Sequence, residues 1–397
     1  MQQHPKPERS KISLDLPNIK RMGLSKTFDI SNSMKGVNSF DFNHDGSKLI
    51  VAGENDCMKI YDCVKGKEQT EHKAGKQLWS KKYGVKLIKF CYHDNNVIYG
   101  STKSDHSVLS NHALRLHSLH ENKYVRYLQG HKDTVLNLSL RPKSDTVISS
   151  SKDMTVRVWD IRSPSCTGVL DIKKAYSTAR QTPSNPIIAI DPQGLIFAVG
   201  ITLAKEGIIN LYAMSEYDKG PFGHCKIPLE KNDKWGDMKF SPCGDYILIT
   251  TTLDTVILIK SFEPYQIVHR FKKGNINRES GTPLQTGFLP TSEYVYVCSE
   301  SRNMEENGPI TNIFQIKSDP NNQVSGAMYS ADPYTKNSDP VHQWKIDDLK
   351  DHSFPENSNF KISDFKERVD FAGFNPVYGQ FVTGTKKMLN FWTLQSE

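Results

Sequence analysis

His131, Ser149 and Asp153 are of the residue types that supply a base, a nucleophile and an orienting acid in acyl-transfer enzymes. His112, His117 and His120 are of metal-ligating type, and Asp347-Asp348 is a carboxylate pair of the kind used in acid–base work. Lys81, Lys82, Lys132, Lys152 and Arg180 are cations able to give charge-assisted hydrogen bonds to phosphate oxygens, with Tyr83 beside the first two. The context of each decides what it can do. The chain contains no G-x-S-x-G, no H-E-x-x-H, no G-x-x-x-x-G-K-[ST] and no G-x-G-x-x-G. His112 and His117 are an odd number of residues apart, which in a strand sends them to opposite faces. Asp347-Asp348 lies in an aperiodic stretch with nothing to hold it rigid. The seven cysteines are scattered and never spaced C-x-x-C, so neither a disulfide framework nor a zinc site is expected. No catalytic residue, metal or cofactor is expected.

The elements that must position these residues repeat along the chain. An apolar residue, a turn rich in Pro, Asp or Gly, and a short run of β-formers recur at Phe42, Phe90, Leu140, Ile190, Phe240, Phe288 and Phe374. The steps between them are 48, 50, 50, 50, 48 and 86 residues, the last marking an insertion. A third apolar strand follows in each unit, as in Thr155-Val156-Arg157-Val158-Trp159, and a fourth leads onward, as in Tyr124-Val125-Arg126-Tyr127-Leu128. Four short strands per repeat of about 40–50 residues is the signature of a propeller blade, which buries its faces only against neighbours in a closed ring. The expectation is an all-β, seven-bladed β-propeller.

The third strand of the last unit ends near Leu394, so that unit lacks a fourth strand. Residues 23–29 read as an unmatched strand that supplies it and locks the ring. The division expected is a polar N-terminal tail over 1–22, a propeller over 23–397, and an irregular insertion over 317–366 between blades 6 and 7. That insertion is rich in Asn, Asp, Ser and Pro, with Phe354, Phe360 and Phe365 as residues that pin it to the ring or dock a partner. Residues 103–112 lengthen a turn in the second unit. No apolar run approaches the roughly 18 residues of a spanning helix, and the N-terminus carries no apolar signal segment, so a membrane role is not expected. The formal net charge is +7, with +4 over residues 1–26 and −2 over 317–366, and no histone-like basic tract favours nucleic acid as the primary partner.

The third unit contains Gly130-His131 and ends Val158-Trp159-Asp160, which resembles a WD repeat. That resemblance implies a structural hydrogen-bonded set of His131, Ser149, Asp153 and Trp159 inside the blade, and this argues against reading the His–Asp–Ser trio as a hydrolase. More specifically, WSKKYGVKLIKF (79–90), HENKYVRYLQGH (120–131), VRVWDIRSPSC (156–166), DPQGLIFAVG (191–200) and DKGPF (218–222) resemble the WD-repeat subunit shared by two nuclear assemblies. One is the COMPASS-type histone-lysine methyltransferase complex. The other is the phosphatase module of the cleavage and polyadenylation factor. The resemblance implies a nuclear, non-catalytic scaffold that contacts methyltransferase subunits and 3′-end processing and termination factors, with a link to the phosphorylated RNA polymerase II tail. The alternatives are a direct phosphopeptide reader of that tail, a single-stranded RNA binder using aromatic and basic loops, and an enzyme.

If the tail is bound directly, spacing suggests where. His131 lies nine residues before Leu140, and Lys81 nine before Phe90. SKKYG thus takes in its blade the place of Gly-His, so Lys81, Lys82, Lys132 and Lys152 share one face of the ring, with Arg180 joining them and Tyr83 packing against the peptide.

Overall fold

The computed structural model describes residues 13–69, 78–103, 112–177, 182–230, 233–252, 255–272, 285–300, 309–316, 342–344 and 369–395. These form seven antiparallel sheets, the blades of a β-propeller. The first strands of the blades are Val37–Phe42, Lys86–Phe90, Val135–Leu140, Ile187–Ile190, Trp235–Phe240, Thr286–Phe288 and Phe371–Phe374. Each ends on one of the apolar anchors read from the sequence. First strands, with Gln285 and Asp370 just before those of blades 6 and 7, line a central cavity of about 450 Å³, whose wall includes Asn38, Lys89, Asn137 and Asp237.

Strand character follows from position in the blade. Second strands are covered on both faces by neighbouring blades, so Leu49, Ile50, Val51 and Ala52 form an unbroken buried run. The outermost strand of blade 3, Cys166–Asp171, alternates half-buried and exposed residues because one side meets water. The buried apolar side chains fall into seven clusters, one at each junction between adjacent blades. Between blades 7 and 1, for example, Phe391 and Val382 pack with Leu49 and Tyr61.

The ring closes through its N-terminal strand. Met22–Asp29 pairs antiparallel with Met388–Leu394, from Met22 opposite Leu394 to Asp29 opposite Met388, and so completes blade 7. The segment expected as a polar N-terminal tail over 1–22 is ordered against the ring at its C-terminal end. Leu16–Lys20 forms a short helix capped by Asp15, whose side chain accepts from the Asn18 N–H at 3.0 Å. Ile19 is fully buried beside Leu289, Tyr294 and Phe381, because it fills the seam where the blade 6 and blade 7 turns meet.

The insertion is also less uniform than expected. Its residues 342–344 (His342–Trp344) pair with the third strand of blade 6, Pro309–Gln315, as that blade's outermost strand. Three residues are too short to show periodicity, and the pairing arises from the open edge of Pro309–Gln315. Phe354, Phe360, Phe365 and Asp347-Asp348 lie outside the described residues.

Antiparallel connection sorts the loops onto two faces. Turns joining first to second and third to fourth strands lie on what we term the lower face. Loops joining second to third strands, and those between blades, lie on the upper face.

Candidate functional site

In blade 3, His131 comes from the loop before the first strand, Ser149 from the second strand, Asp153 from the following turn and Trp159 from the third strand. His131 Nδ1 lies 3.0 Å from Asp153 Oδ2, and His131 Nε2 lies 2.8 Å from Ser149 Oγ. Trp159 Nε1 donates to the same Ser149 Oγ at 2.8 Å. The indole is a donor only, so Ser149 accepts from Trp159 and gives its own proton to His131 Nε2, while Nδ1–H donates to the carboxylate. Desolvation lowers the His131 pKa and keeps the ring neutral. Burial opposes ionisation of Asp153, but hydrogen bonds from His131 and the Lys132 N–H outweigh it and hold the carboxyl well below its usual range.

These distances match those of a hydrolytic triad, but the surroundings differ. Ser149 is fully buried, and its oxygen is already occupied by an indole N–H. No substrate carbonyl can reach it, so the arrangement ties three strands and a loop together.

Blade 2 fills the equivalent space differently. Tyr99 Oη lies 3.1 Å from His117 Nδ1, and His117 Nε2 lies 3.1 Å from Asn122 Oδ1. Both ring nitrogens of His117 are thereby engaged within the protein. His112 is buried, whereas His120 is exposed. The Arg115 guanidinium, fully buried, lies 3.8 Å from the centre of the Tyr83 ring and donates to the Ala113 carbonyl at 2.8 Å. Tyr124 and Tyr127 meet the Tyr83 ring edge-on. Sequence reasoning missed Arg115, because its partners converge from three different strands and loops.

The basic residues read from the sequence divide. Lys81, Lys82, Lys132 and Lys152 are exposed on the upper face. The Lys81 ammonium lies 5.0 Å over the Trp79 ring and that of Lys82 5.0 Å over Tyr83. Tyr83 itself is 6% exposed, so the expectation that it packs against a bound peptide is corrected: its ring is covered by Arg115 and the two tyrosines. Arg180 lies outside the described residues. Lys86, not foreseen, is half-buried, and desolvation together with the charge of Lys152 lowers its pKa to about 8. Lys103 donates to the Lys81 carbonyl and pairs with Asp56 at 3.4 Å, fixing the SKKYG loop against blade 1.

Residues 25–62 and 122–160 match the WD domain, G-beta repeat family. Over 262 residues the chain is 37% identical to WD repeat-containing protein 82 of Drosophila melanogaster, covering 66% of this chain and 73% of that one. It is 30% identical to the Set1 complex component swd2 of Schizosaccharomyces pombe over 272 residues, 65% of this chain and 69% of the relative. It is also 30% identical to the COMPASS component SWD2 of Saccharomyces cerevisiae over 257 residues, 64% of this chain and 71% of the relative. With its seven blades, its Gly-His and Trp-Asp repeat, and this extent of identity, the chain belongs to the family of WD-repeat propellers that includes WD repeat-containing protein 82 and the Set1 complex and COMPASS component SWD2.

Proposed function

We propose that this protein is a non-catalytic docking subunit of a nuclear COMPASS-type histone-lysine methyltransferase complex. The observation that carries this is identity across most of the ring to two proteins named as Set1 complex and COMPASS components. The internal commitment of the triad-like set in blade 3 supports a binding role over a catalytic one, since Ser149 Oγ accepts from Trp159 inside the blade. A second assembly, the cleavage and polyadenylation factor, belongs to the same proposal through the family resemblance. Purifying the full chain at native abundance and identifying stoichiometric partners by mass spectrometry tests it. Recovery of methyltransferase subunits is the expected result, and their absence from a monodisperse preparation refutes it.

Within this role, the exposed Lys81, Lys82, Lys132 and Lys152 form a surface suited to a phosphorylated polymerase-tail peptide, with Lys86 at its buried margin. Charge-assisted hydrogen bonds from ammonium groups to phosphate oxygens are the chemistry such a site would use.

A further inference from the structure

The two faces of the ring differ in charge and in apolar exposure. Among the described residues, Asp and Glu outnumber Lys and Arg two to one in the lower-face turns, whereas lysine is in excess in the upper loops. Among the described residues eight large apolar side chains stand exposed, and six of them sit in lower-face turns: Val64, Tyr92, Leu195, Phe222, Phe262 and Val377. The other two, Val125 and Val169, lie on outermost strands. Scattered exposed apolar residues are ordinary, but their concentration on one face makes that face the candidate for an interaction surface.

Val64, Tyr92 and Val377 lie on an arc over blades 7, 1 and 2, where hydrogen bonds join the turns of neighbouring blades. Val377, 55% exposed, lies against Gly46 of the blade 1 turn, and Asn375 Nδ2 donates to the Gly46 carbonyl at 2.7 Å. In that turn His44 meets the Tyr92 ring of blade 2 edge-on at 6.0 Å, and Tyr92 lies 5.5 Å from His93. Asn43 Nδ2 donates to Asp94 Oδ2 at 2.7 Å, tying blade 1 to blade 2. The arc is therefore a pre-organised platform. Exposed Asp45, its carboxylate held by the Ser47 N–H at 2.8 Å, stands beside it.

We propose that this arc is the docking surface for a segment of a protein partner in which Lys or Arg alternates with aliphatic or aromatic residues. The proposal rests on the docking role proposed above and assigns it a face and a partner chemistry. A Lys or Arg side chain is held by the electron-rich face of Tyr92 and by the Asp45 carboxylate, while an aliphatic neighbour covers Val377. The lysine-rich upper face repels the same segment, so the polarity of the ring selects the side. The lower face already seats one peptide segment through the buried side chains of Leu14 and Ile19. The chain's own residues 13–21 lie along it at blades 6 and 7, with Leu14 against Gly379 in the turn that carries Val377.

The test places the photo-crosslinking residue p-benzoylphenylalanine at position 92, and separately at position 125 as a control, in the full chain expressed within its native complex. Position 92 is expected to crosslink to a net-positive, apolar-interleaved segment of a co-purifying subunit, and position 125 is not. In parallel, a Tyr92→Ala, Val377→Ser double variant is expected to recover that subunit about tenfold less well at unchanged melting temperature, as for loss of an interface anchor. A Lys173→Glu, Lys205→Glu variant, exposed on the upper face, is expected to retain it. Crosslinks to an acidic segment, to nucleic acid, to a second copy, or to residues 1–12 of the same chain would overturn the proposal. Full recovery of the subunit by the double variant would do so too, as would the absence of crosslinks while partners co-purify. If the parent recovers no stoichiometric partner, the docking role itself fails and this assignment fails with it.

Discussion

Replacing Asp153 by Ala perturbs the best-defined polar set in the ring, and the structure sets the size of the effect. One carboxylate oxygen accepts from His131 Nδ1 at 3.0 Å and from the Lys132 N–H at 2.8 Å. The other accepts from the Thr155 N–H at 2.9 Å and the Thr155 hydroxyl at 2.7 Å. The His131 side chain is 1% exposed, so its Nδ1–H loses its carboxylate acceptor where water does not reach, at a cost of about 1–3 kcal/mol. Lys132 is exposed, and its N–H can turn to water. Thr155 is half-buried, and its groups add roughly 1 kcal/mol at most. The total is about 1–4 kcal/mol, which for a cooperative unit of this size lowers Tm by about 1–5 °C. Asp153→Asn keeps an acceptor oxygen but not the charge, and should fall between. The same set gives a pH dependence with a definite sign. The folded Asp153 pKa is depressed, so its contribution is complete above the unfolded value near ~4 and is lost as pH falls through the folded value. The His131 pKa is also depressed, so its contribution is complete above roughly 6.5 and declines as pH falls below that. Calorimetric melting of parent and both variants at pH 5 and pH 7.5 checks this. An Asp153→Ala protein that melts at the same temperature as the parent at pH 7.5 would refute the reasoning.

A fluorophosphonate probe should leave Ser149 unlabelled in folded protein, as read by intact mass; stoichiometric labelling there would reinstate a hydrolase. Deleting 317–341 and 345–366 while keeping 342–344 on short Gly/Ser bridges should preserve cooperative melting, whereas deleting 317–366 outright strips blade 6 of its outer strand and should lower Tm. Removing residues 1–12 should leave melting unchanged, but removing 1–29 opens blade 7 along the pairing of Met22–Asp29 with Met388–Leu394 and should abolish cooperative unfolding in a thermal scan. A Lys81→Glu, Lys82→Glu variant should lose at least about tenfold in affinity for a phosphorylated polymerase-tail peptide in fluorescence anisotropy. Equal binding of phosphorylated and unphosphorylated peptides by the parent would remove the lysine surface from consideration.

Much of the ring was legible because its physics is local and repeated. The seven anchors are the last residues of the seven first strands, since each must turn sharply just beyond its final buried side chain. The closing strand was legible by subtraction, because the last unit stopped one strand short. What escaped depends on partners distant in sequence. His342–Trp344 carries no periodic signal, and an open sheet edge alone defines it. The helix Leu16–Lys20 reads as polar, and Ile19 gains meaning only from the seam formed by Leu289 and Phe381. Tyr83 resembled a loop aromatic available to a ligand, but the buried Arg115 guanidinium, about thirty residues away, occupies its face.

The blades also show why repeat motifs underreport a propeller. Every junction between blades must bury apolar area and satisfy the polar groups trapped beside it, but no particular residues are required. Blade 3 uses His131, Asp153, Ser149 and Trp159. Blade 7 keeps only the indole half, with Trp392 Nε1 donating to the Thr383 hydroxyl at 2.9 Å. Blade 2 uses Tyr99, His117 and Asn122, and blade 4 joins Asn210 to Tyr176 at 3.0 Å and to His224 at 2.8 Å. Motif recognition accordingly reaches residues 25–62 and 122–160, while the apolar clusters run through all seven junctions. The ring is held mainly by these interior contacts, with a few turn-to-turn bonds such as Asn43 to Asp94 and Asn375 to Gly46, so the remaining exposed side chains of the turns carry little structural duty. The acidic, apolar lower face and the lysine-rich upper face are set by surface residues outside these buried sets, and the docking role proposed above is what they would serve.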